Sequence, residues 1–266
     1  SFTSIGTKRT TTDKIITTRI TLTSIDPLAQ TFQFEKDTMM TSAGVYFSAK
    51  NDVHNVLVQV RNVVNGYPGT TIYGEKVLTP NQVLVSEDAT TETKVTFDDP
   101  ILCSSGQQFC IVYLTDSDAH SMFVCDLGQN DITTGVKVTR EPYLAGMLFS
   151  SSNGIAWTAH QSMNMKFKIY SAVFNASTTI DFAEQSTMNA DRLLLLVDTI
   201  VPVGTTCDWQ VSLDGGTYQT ITEYNDLDIL KVASKVKLRA VVTTNGDTSP
   251  IIASDSIRLV GFTTGL

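Results

Sequence analysis

Apolar and polar residues alternate along most of this chain, as in strands that bury one face and expose the other. In the stretch VLVQVR, Val56, Val58 and Val60 share one face. Gln59 and Arg61 lie on the opposite face. The same alternation recurs in MKFKIY, DWQVSL and KVKLRAV. Helical periodicity is almost absent, so the pattern predicts antiparallel sheets with one buried face and one solvated face.

Turn signals separate the predicted strands. Asn-Gly and Asp-Gly pairs supply the positive φ angles that tight hairpins need. Short strands broken at intervals by such turns are typical of β-sandwiches and barrels. The signals are NGYPG, SSGQQ, SNG, LDGG and TNGD.

The chain divides into three zones. Residues 1–25 are polar and rich in Thr, with nine Thr among the first 24 residues. We interpret them as an N-terminal extended segment or a linker from a preceding region, in which KIITTRITLTSI forms a strand that pairs with a neighbour. Residues 26–174 carry a dense strand pattern, and the polar stretch NASTT follows. The length of residues 175–266 suits a small immunoglobulin-like or fibronectin-like β-sandwich.

Charge and hydropathy exclude several classes of protein. The net charge is -8, whereas binding to phosphate backbones needs a basic face, so we predict no nucleic-acid partner. No apolar run approaches the roughly 20 residues that span a bilayer, and we predict no membrane insertion. The first residues lack the apolar core of a signal peptide. We interpret Ser1 as an interior point of a longer protein or as a tag remnant.

The four cysteines fit no zinc-binding spacing. The main interpretation is four buried free thiols, which suit a reducing compartment. The alternative is a bridge between Cys103 and Cys110 across a hairpin. The remaining two cysteines are Cys125 and Cys207.

The stretch SSSNGIAWT is similar to the Asp-box hairpin of sialidases and other propeller hydrolases. The likeness is degenerate, because Ser152 stands where the box has Asp. A propeller also needs about four to eight repeated blades, and the chain has no such repeat. We therefore interpret the stretch as a tight hairpin covered by Trp157. The indole either packs on the hairpin or stacks on a sugar.

The densest acidic stretch is TDSDAH, which places Asp116, Asp118 and His120 on one side of an extended segment. Calcium takes six to eight oxygen ligands, often from such loops, so Asp116 and Asp118 are calcium candidates. The alternatives are a solvated loop and, more remotely, a catalytic role. No other cofactor is predicted.

No nucleophile elbow, P-loop or dinucleotide-binding motif occurs in the chain. We therefore predict that the protein is not an enzyme. The alternative is a polysaccharide-degrading enzyme with a site that carries none of these motifs.

Three segments together resemble a family of tailed-bacteriophage virion proteins that form tail fibres, baseplates or tail surfaces. One motif has the form D-P-L-A-Q-[ST]-F, and another, R-x-x-x-N-G-x-P, is matched by Arg61, Asn65, Gly66 and Pro68. The resemblance covers residues 26–174, and residues 175–266 resemble the sandwich modules that follow in such proteins. The three segments are DPLAQTFQF, VQVRNVVNGYPGTTIY and PYLAGMLFSSSNGIAWT.

The resemblance implies that residues 26–174 form a jelly-roll β-sandwich like a carbohydrate-binding module. It implies a structural component of a phage tail, synthesised in the bacterial host cytoplasm and located in the virion. The expected partners are other tail proteins and further copies of the chain, with threefold symmetry common in such assemblies.

An alternative function is binding of a host-surface polysaccharide. Aromatic faces stack on sugar rings, and neighbouring amides or carboxylates bind hydroxyls. The candidate contacts are aromatic residues in predicted loops, namely Tyr67, Tyr73, Tyr143 and Trp157.

Overall fold

The computed structural model describes residues 6–11, 18–19, 27–139 and 146–263, without the side chains of 6–11, 18–19, 187–189 and 230–232. The chain forms two compact units: the larger holds Lys8–Ala172, and the smaller holds Ser1–Thr7 with Val173–Leu266. Among the described residues, strands predominate and there is no α-helix. The predicted all-β sandwich class is therefore confirmed.

The larger unit is built from antiparallel strands and one short 3-10 helix, Pro80–Gln82. The last of these strands runs on past Ala172. The strands are β1 (Gly6–Thr11), β2 (Thr18–Arg19), β3 (Leu28–Gln33), β4 (Thr38–Val45), β5 (Phe47–Ala49), β6 (Val56–Val64), β7 (Tyr67–Leu78), β8 (Thr93–Cys103), β9 (Gln108–Thr115), β10 (Ser121–Asp126), β11 (Leu148–Ser150), β12 (Thr158–His160), β13 (Met163–Met165) and β14 (Phe167–Phe174).

Two main sheets enclose the core of the larger unit. A six-stranded sheet has the order β12-β11-β3-β9-β6-β7, and a four-stranded sheet has the order β1-β14-β4-β8. Strands β13, β10 and β2 form a further sheet, and β5 also pairs with β10. The core contains buried side chains from both main sheets, such as Ile111 of β9 and Val95 of β8. The two sheets thus form the sandwich that the alternation predicts.

In β6 the predicted core face is confirmed, but the opposite face is not solvated throughout as predicted, because Gln59 on it is only 5% exposed. Val56, Val58 and Val60 are at most 1% exposed and face this core. In β9, Phe109 and Ile111 face the same core. The residues between them, Cys110 and Val112, are also buried, although they belong to a second cluster on the other face of the sheet.

The smaller unit is also entirely β among its described residues. Its main sheet has the order β19-β18-β20-β16-β22, with β15 also on β20, and β17 pairs with β21. Trp209 and Val211 point into its core, as the alternation predicts. The strands are β15 (Ser177–Asp181), β16 (Gln185–Leu196), β17 (Thr199–Ile200), β18 (Thr206–Leu213), β19 (Gln219–Thr220), β20 (Asp226–Thr243), β21 (Ile251–Ile252) and β22 (Arg258–Phe262).

Three of the four cysteines are buried as predicted, but Cys207 is only half-buried. None of the four forms a disulfide, so the alternative of a Cys103–Cys110 bridge is wrong. The two side chains belong to different clusters, because Cys103 lies in the sandwich core and Cys110 lies on the other face of β9. Burial raises the pKa of both thiols to about 12. They therefore stay protonated and act as small apolar residues.

Truncation of Ile111 tests the importance of the sandwich core. Ile111 is fully buried at the centre of the six-stranded sheet. We expect Ile111→Ala to lower the free energy of unfolding by about 2–5 kcal/mol, because the lost side chain leaves a cavity. Urea denaturation followed by circular dichroism measures the change. The control Val53→Ala, at a residue that is 79% exposed, should change it by less than about 0.5 kcal/mol. Equal effects of the two substitutions would contradict this account.

Candidate functional site

The six-stranded sheet carries a second apolar cluster on the face away from the sandwich core, which we call the outer cluster. Its presence follows from β9, where FCIVYL is apolar at every position and so buries both faces. Its fully buried members are Ala29, Cys110, Val112 and Phe149, and its half-buried members are Val63, Leu114, Met147, Trp157 and Ala159.

Trp157 reaches the outer cluster through a short loop with a defined conformation. The Ser151 hydroxyl accepts the backbone N–H groups of Asn153 at 3.3 Å and Gly154 at 2.9 Å. The Asn153 side-chain oxygen accepts the backbone N–H groups of Ile155 at 2.9 Å and Ala156 at 2.8 Å. Gly154 has a φ of 70°, a left-handed conformation that glycine adopts readily. The loop joins the paired strands β11 and β12, so the predicted hairpin is confirmed.

Tyr67 reaches the same cluster from the tip of the hairpin between β6 and β7. Asn65 and Gly66 form its turn with φ angles of 52° and 82°. Positive φ at two successive residues is typical of the tight turn that an Asn-Gly pair favours. The Tyr67 ring lies 5.5 Å from the Phe149 ring, centroid to centroid, and the residue is 49% exposed. Tyr67 and Trp157 therefore border one cluster, with Phe149 in common.

The other two glycan candidates do not join this group. The Tyr73 ring packs 5.5 Å from that of Phe109, a residue of the sandwich core. The Tyr73 hydroxyl accepts a hydrogen bond of 3.2 Å from the Gln107 side chain. Tyr143 lies outside the described residues. The structure thus brings together two of the four aromatic candidates.

Polar side chains bridge β6 and β7. Gln59 pairs with Val112 of β9 and with Glu75 of β7 in the sheet register. The Gln59 amide donates to the Glu75 carboxylate at 2.8 Å, and Arg61 Nε donates to the Gln59 side-chain oxygen at 2.8 Å. The sequence places Gln59 and Arg61 on the outer face, but it does not reveal Phe149 or Glu75 as members of a site. The cross-strand register, which no local motif encodes, determines that placement.

The acidic stretch after β9 forms a bend and a turn, not the predicted extended segment. Asp116 and Asp118 are exposed. Between them, Ser117 is buried, and its hydroxyl accepts the Ala119 N–H at 3.2 Å. This turn is what bends the segment. In the part of the chain that the structure describes, no three His, Cys, Asp or Glu side chains converge as ligands of a metal ion. Calcium binding at Asp116 and Asp118 stays a prediction from the sequence.

His120 follows this turn and packs with its ring 6.2 Å from the Phe47 ring. Within the described ranges, neither ring nitrogen of His120 forms a hydrogen bond of ordinary geometry. Burial lowers the pKa of His120 below its usual value of 6.5. The folded protein therefore favours the neutral imidazole at this position.

Comparison with protein-family models finds no model that matches this chain, and comparison with curated proteins finds no match. Among the described residues, no helix is long and apolar enough to cross a membrane.

Because burial favours the neutral imidazole of His120, we expect the folded protein to lose stability in acid. The unfolded chain takes up a proton on His120 near the usual pKa of 6.5, whereas the folded chain takes it up only at lower pH. Stability should therefore be complete above that value and decrease as the pH falls below it. We expect His120→Leu to reduce the difference in Tm between about pH 7.5 and about pH 5.5, measured by thermal denaturation. If the Tm difference between the two pH values is the same in the variant and the wild type, His120 does not contribute to the loss of stability in acid.

Proposed function

We propose that this chain is a structural component of a bacteriophage tail that works through contacts with other proteins. The observation that carries the proposal is the edge strand β7. It is the last strand of the six-stranded sheet, and no described strand pairs with its outer edge. Four of its large hydrophobic side chains are between 40% and 50% exposed, and they are Tyr67, Ile72, Tyr73 and Val77.

An exposed apolar edge strand is a template for pairing with another chain. Its free N–H and C=O groups bond to an added strand, and its side chains determine which strand fits. Strand β7 spans 12 residues, which is long for an edge strand. Monomeric proteins usually shorten such edges or protect them with charges. Strand β7 carries some of this protection in Pro68, Glu75 and Lys76, but its length and its four exposed apolar side chains support a role in assembly.

The positions of the phage-like motifs support the tail assignment. The motif DPLAQTF leads into β3, R-x-x-x-N-G-x-P forms the hairpin of β6 and β7, and SSSNGIAWT joins β11 to β12. These motifs lie far apart in sequence, yet their strands belong to one six-stranded sheet. The three motifs are expected to share a sheet if they belong to one structural module.

The proposal places the chain in the virion, in a tail fibre, baseplate or tail surface, after synthesis in the bacterial host cytoplasm. Its partners are other tail proteins and further copies of itself, and a homotrimer is the expected symmetry. The proposal includes no enzymatic activity and no nucleic-acid partner.

Charges on the edge strand should block assembly. We expect the double variant Ile72→Lys with Val77→Lys to sediment as a single chain while the wild type associates, because two lysines oppose edge-to-edge pairing. Analytical ultracentrifugation measures the mass, and circular dichroism confirms that the variant folds. The control Val53→Lys, on a loop residue that is 79% exposed, should associate like the wild type. A wild type that sediments as a single chain, or a double variant that still associates, would contradict self-association through β7.

Recognition of a host-surface glycan is the second candidate function. The observation that favours it is the convergence of Tyr67 and Trp157 on the outer cluster, where Tyr67 keeps about half of its surface accessible. Two aromatic side chains held on a rigid sheet can stack on sugar rings.

Removal of both aromatic side chains tests the glycan hypothesis. We expect Tyr67→Ala with Trp157→Ala to weaken binding on a glycan array by about fivefold or more, because stacking residues dominate such contacts. The control Tyr218→Ala removes a half-buried tyrosine of the smaller unit and should leave binding unchanged. Glycan binding that survives the double substitution would contradict stacking at this cluster.

A further inference from the structure

The smaller unit contains a shallow cavity of about 280 Å³ that the proposed function does not use. Three separate stretches of the chain meet there: the segment around β17, the residues that follow β19, and the segment around β21. The lining combines aliphatic side chains with acidic and hydroxyl groups. It consists of Val197, Asp198, Thr199, Ile200, Glu223, Tyr224, Ile251 and Ala253.

The two carboxylates of the lining are held by neutral donors. Glu223 Oε1 accepts the Trp209 indole N–H at 2.7 Å and the Thr199 hydroxyl at 2.9 Å. Asp198 Oδ1 lies 3.0 Å from the Tyr224 hydroxyl, whose shorter hydrogen bond, of 2.6 Å, goes to the Val197 carbonyl. Neither carboxylate forms an ion pair with any described residue, and the lining contains no Lys, Arg or His. The cavity therefore carries negative charge that no cation of its own lining balances.

An exposed aliphatic surface borders the cavity, and we call it the ledge. It consists of Ile200, Val201 and Val203, which are 56%, 49% and 85% exposed. These exposed apolar side chains, close together in sequence, are accessible to apolar groups of another chain.

Backbone contacts hold the ledge in place. Ile200 pairs with Ile251 in the short sheet of β17 and β21. The Asn245 side chain donates to the Val203 carbonyl at 3.0 Å, and the Thr205 N–H donates to the Pro202 carbonyl at 3.1 Å. The aliphatic side chains are thus presented by a fixed loop, which lowers the entropy cost of a contact.

Tyr224 stands at the boundary between the cavity and solvent. Its φ angle is 58°, a left-handed conformation that is uncommon for an aromatic residue, and it is 58% exposed. Strained residues of this kind gather at functional sites. One face of the ring is therefore available to a cation, which aromatic rings attract.

We propose that the ledge and the cavity form a docking site for a Lys or Arg side chain, flanked by aliphatic residues, on another protein chain. The aliphatic stem of the side chain lies along Ile200 and Ile251, as such stems do on apolar surfaces. The cation reaches Asp198 and Glu223 and forms charge-assisted hydrogen bonds with them. The inference rests on the proposed assembly role, because it names the chemistry of one partner in that assembly.

Charge selects this partner over others. An acidic peptide is repelled by both carboxylates, and a neutral side chain leaves them without a cation. The net charge of -8 attracts basic partners over longer distances as well. The ledge favours a protein segment over a free cation, because its aliphatic side chains need apolar groups to cover them.

A peptide titration of the full chain tests the site. The probe is acetyl-Ile-Lys-Ile-amide, and its matched control is the same peptide with an acetylated lysine, which keeps the length and removes the charge. We expect the lysine peptide to shift the backbone NMR signals of Asp198, Ile200 and Tyr224, with weaker shifts as salt is added. We expect the acetylated peptide to leave these signals in place. Equal shifts from both peptides, or none from either, would overturn the proposal.

Two substitutions distinguish binding of the peptide at the cavity from its general electrostatic attraction to the acidic chain. Asp198→Asn removes the charge and keeps an acceptor for Tyr224, so we expect about three- to tenfold weaker peptide binding. Asp208→Asn removes the same charge at an exposed position outside the lining and should leave binding within about twofold. Equal effects of the two variants would overturn the proposal. The double variant of β7, Ile72→Lys with Val77→Lys, lies in the larger unit, whereas the cavity lies in the smaller one. A failure of peptide docking can therefore be distinguished from a failure of assembly.

Discussion

The structure of the larger unit depends on one constraint, the burial of both faces of β9. Phe109 and Ile111 point into the sandwich, and Cys110 and Val112 point away from it. The four-stranded sheet covers the first pair, whereas the second pair packs with side chains of its own sheet and with Trp157 of the loop between β11 and β12. Leaving such apolar surface in water costs about 25 cal/mol per Å². Trp157 therefore contributes to stability, because it covers part of this surface.

The sequence predicts the local structure well, because alternation is a local property. The buried face of β6 and the inward positions of Trp209 and Val211 follow from it directly. The turn at Asn65 follows in the same way, since few residue pairs accept its φ angles. The burial of three of the four cysteines also follows from the sequence, whereas Cys207, between Thr206 and Asp208, is only half-buried.

The grouping of side chains into sites could not be predicted in the same way. Tyr67 and Phe149 meet because irregularities in the pairing of β6 with β7 follow Val60 and Arg61, and no motif specifies such irregularities. Tyr73 packs on Phe109 for the same reason, because the register places it beside the sandwich core. The ledge and its cavity join stretches that lie far apart in the chain, so composition alone does not reveal them.

Electron cryomicroscopy of the virion that carries this chain tests the central claim most directly, because it shows what contacts the outer edge of β7. We predict density for the chain in the tail, with a strand or loop of another polypeptide along β7 and its exposed side chains covered. A tail in which β7 faces solvent in every copy, or a map that places the chain outside the tail, would contradict the proposed assembly role.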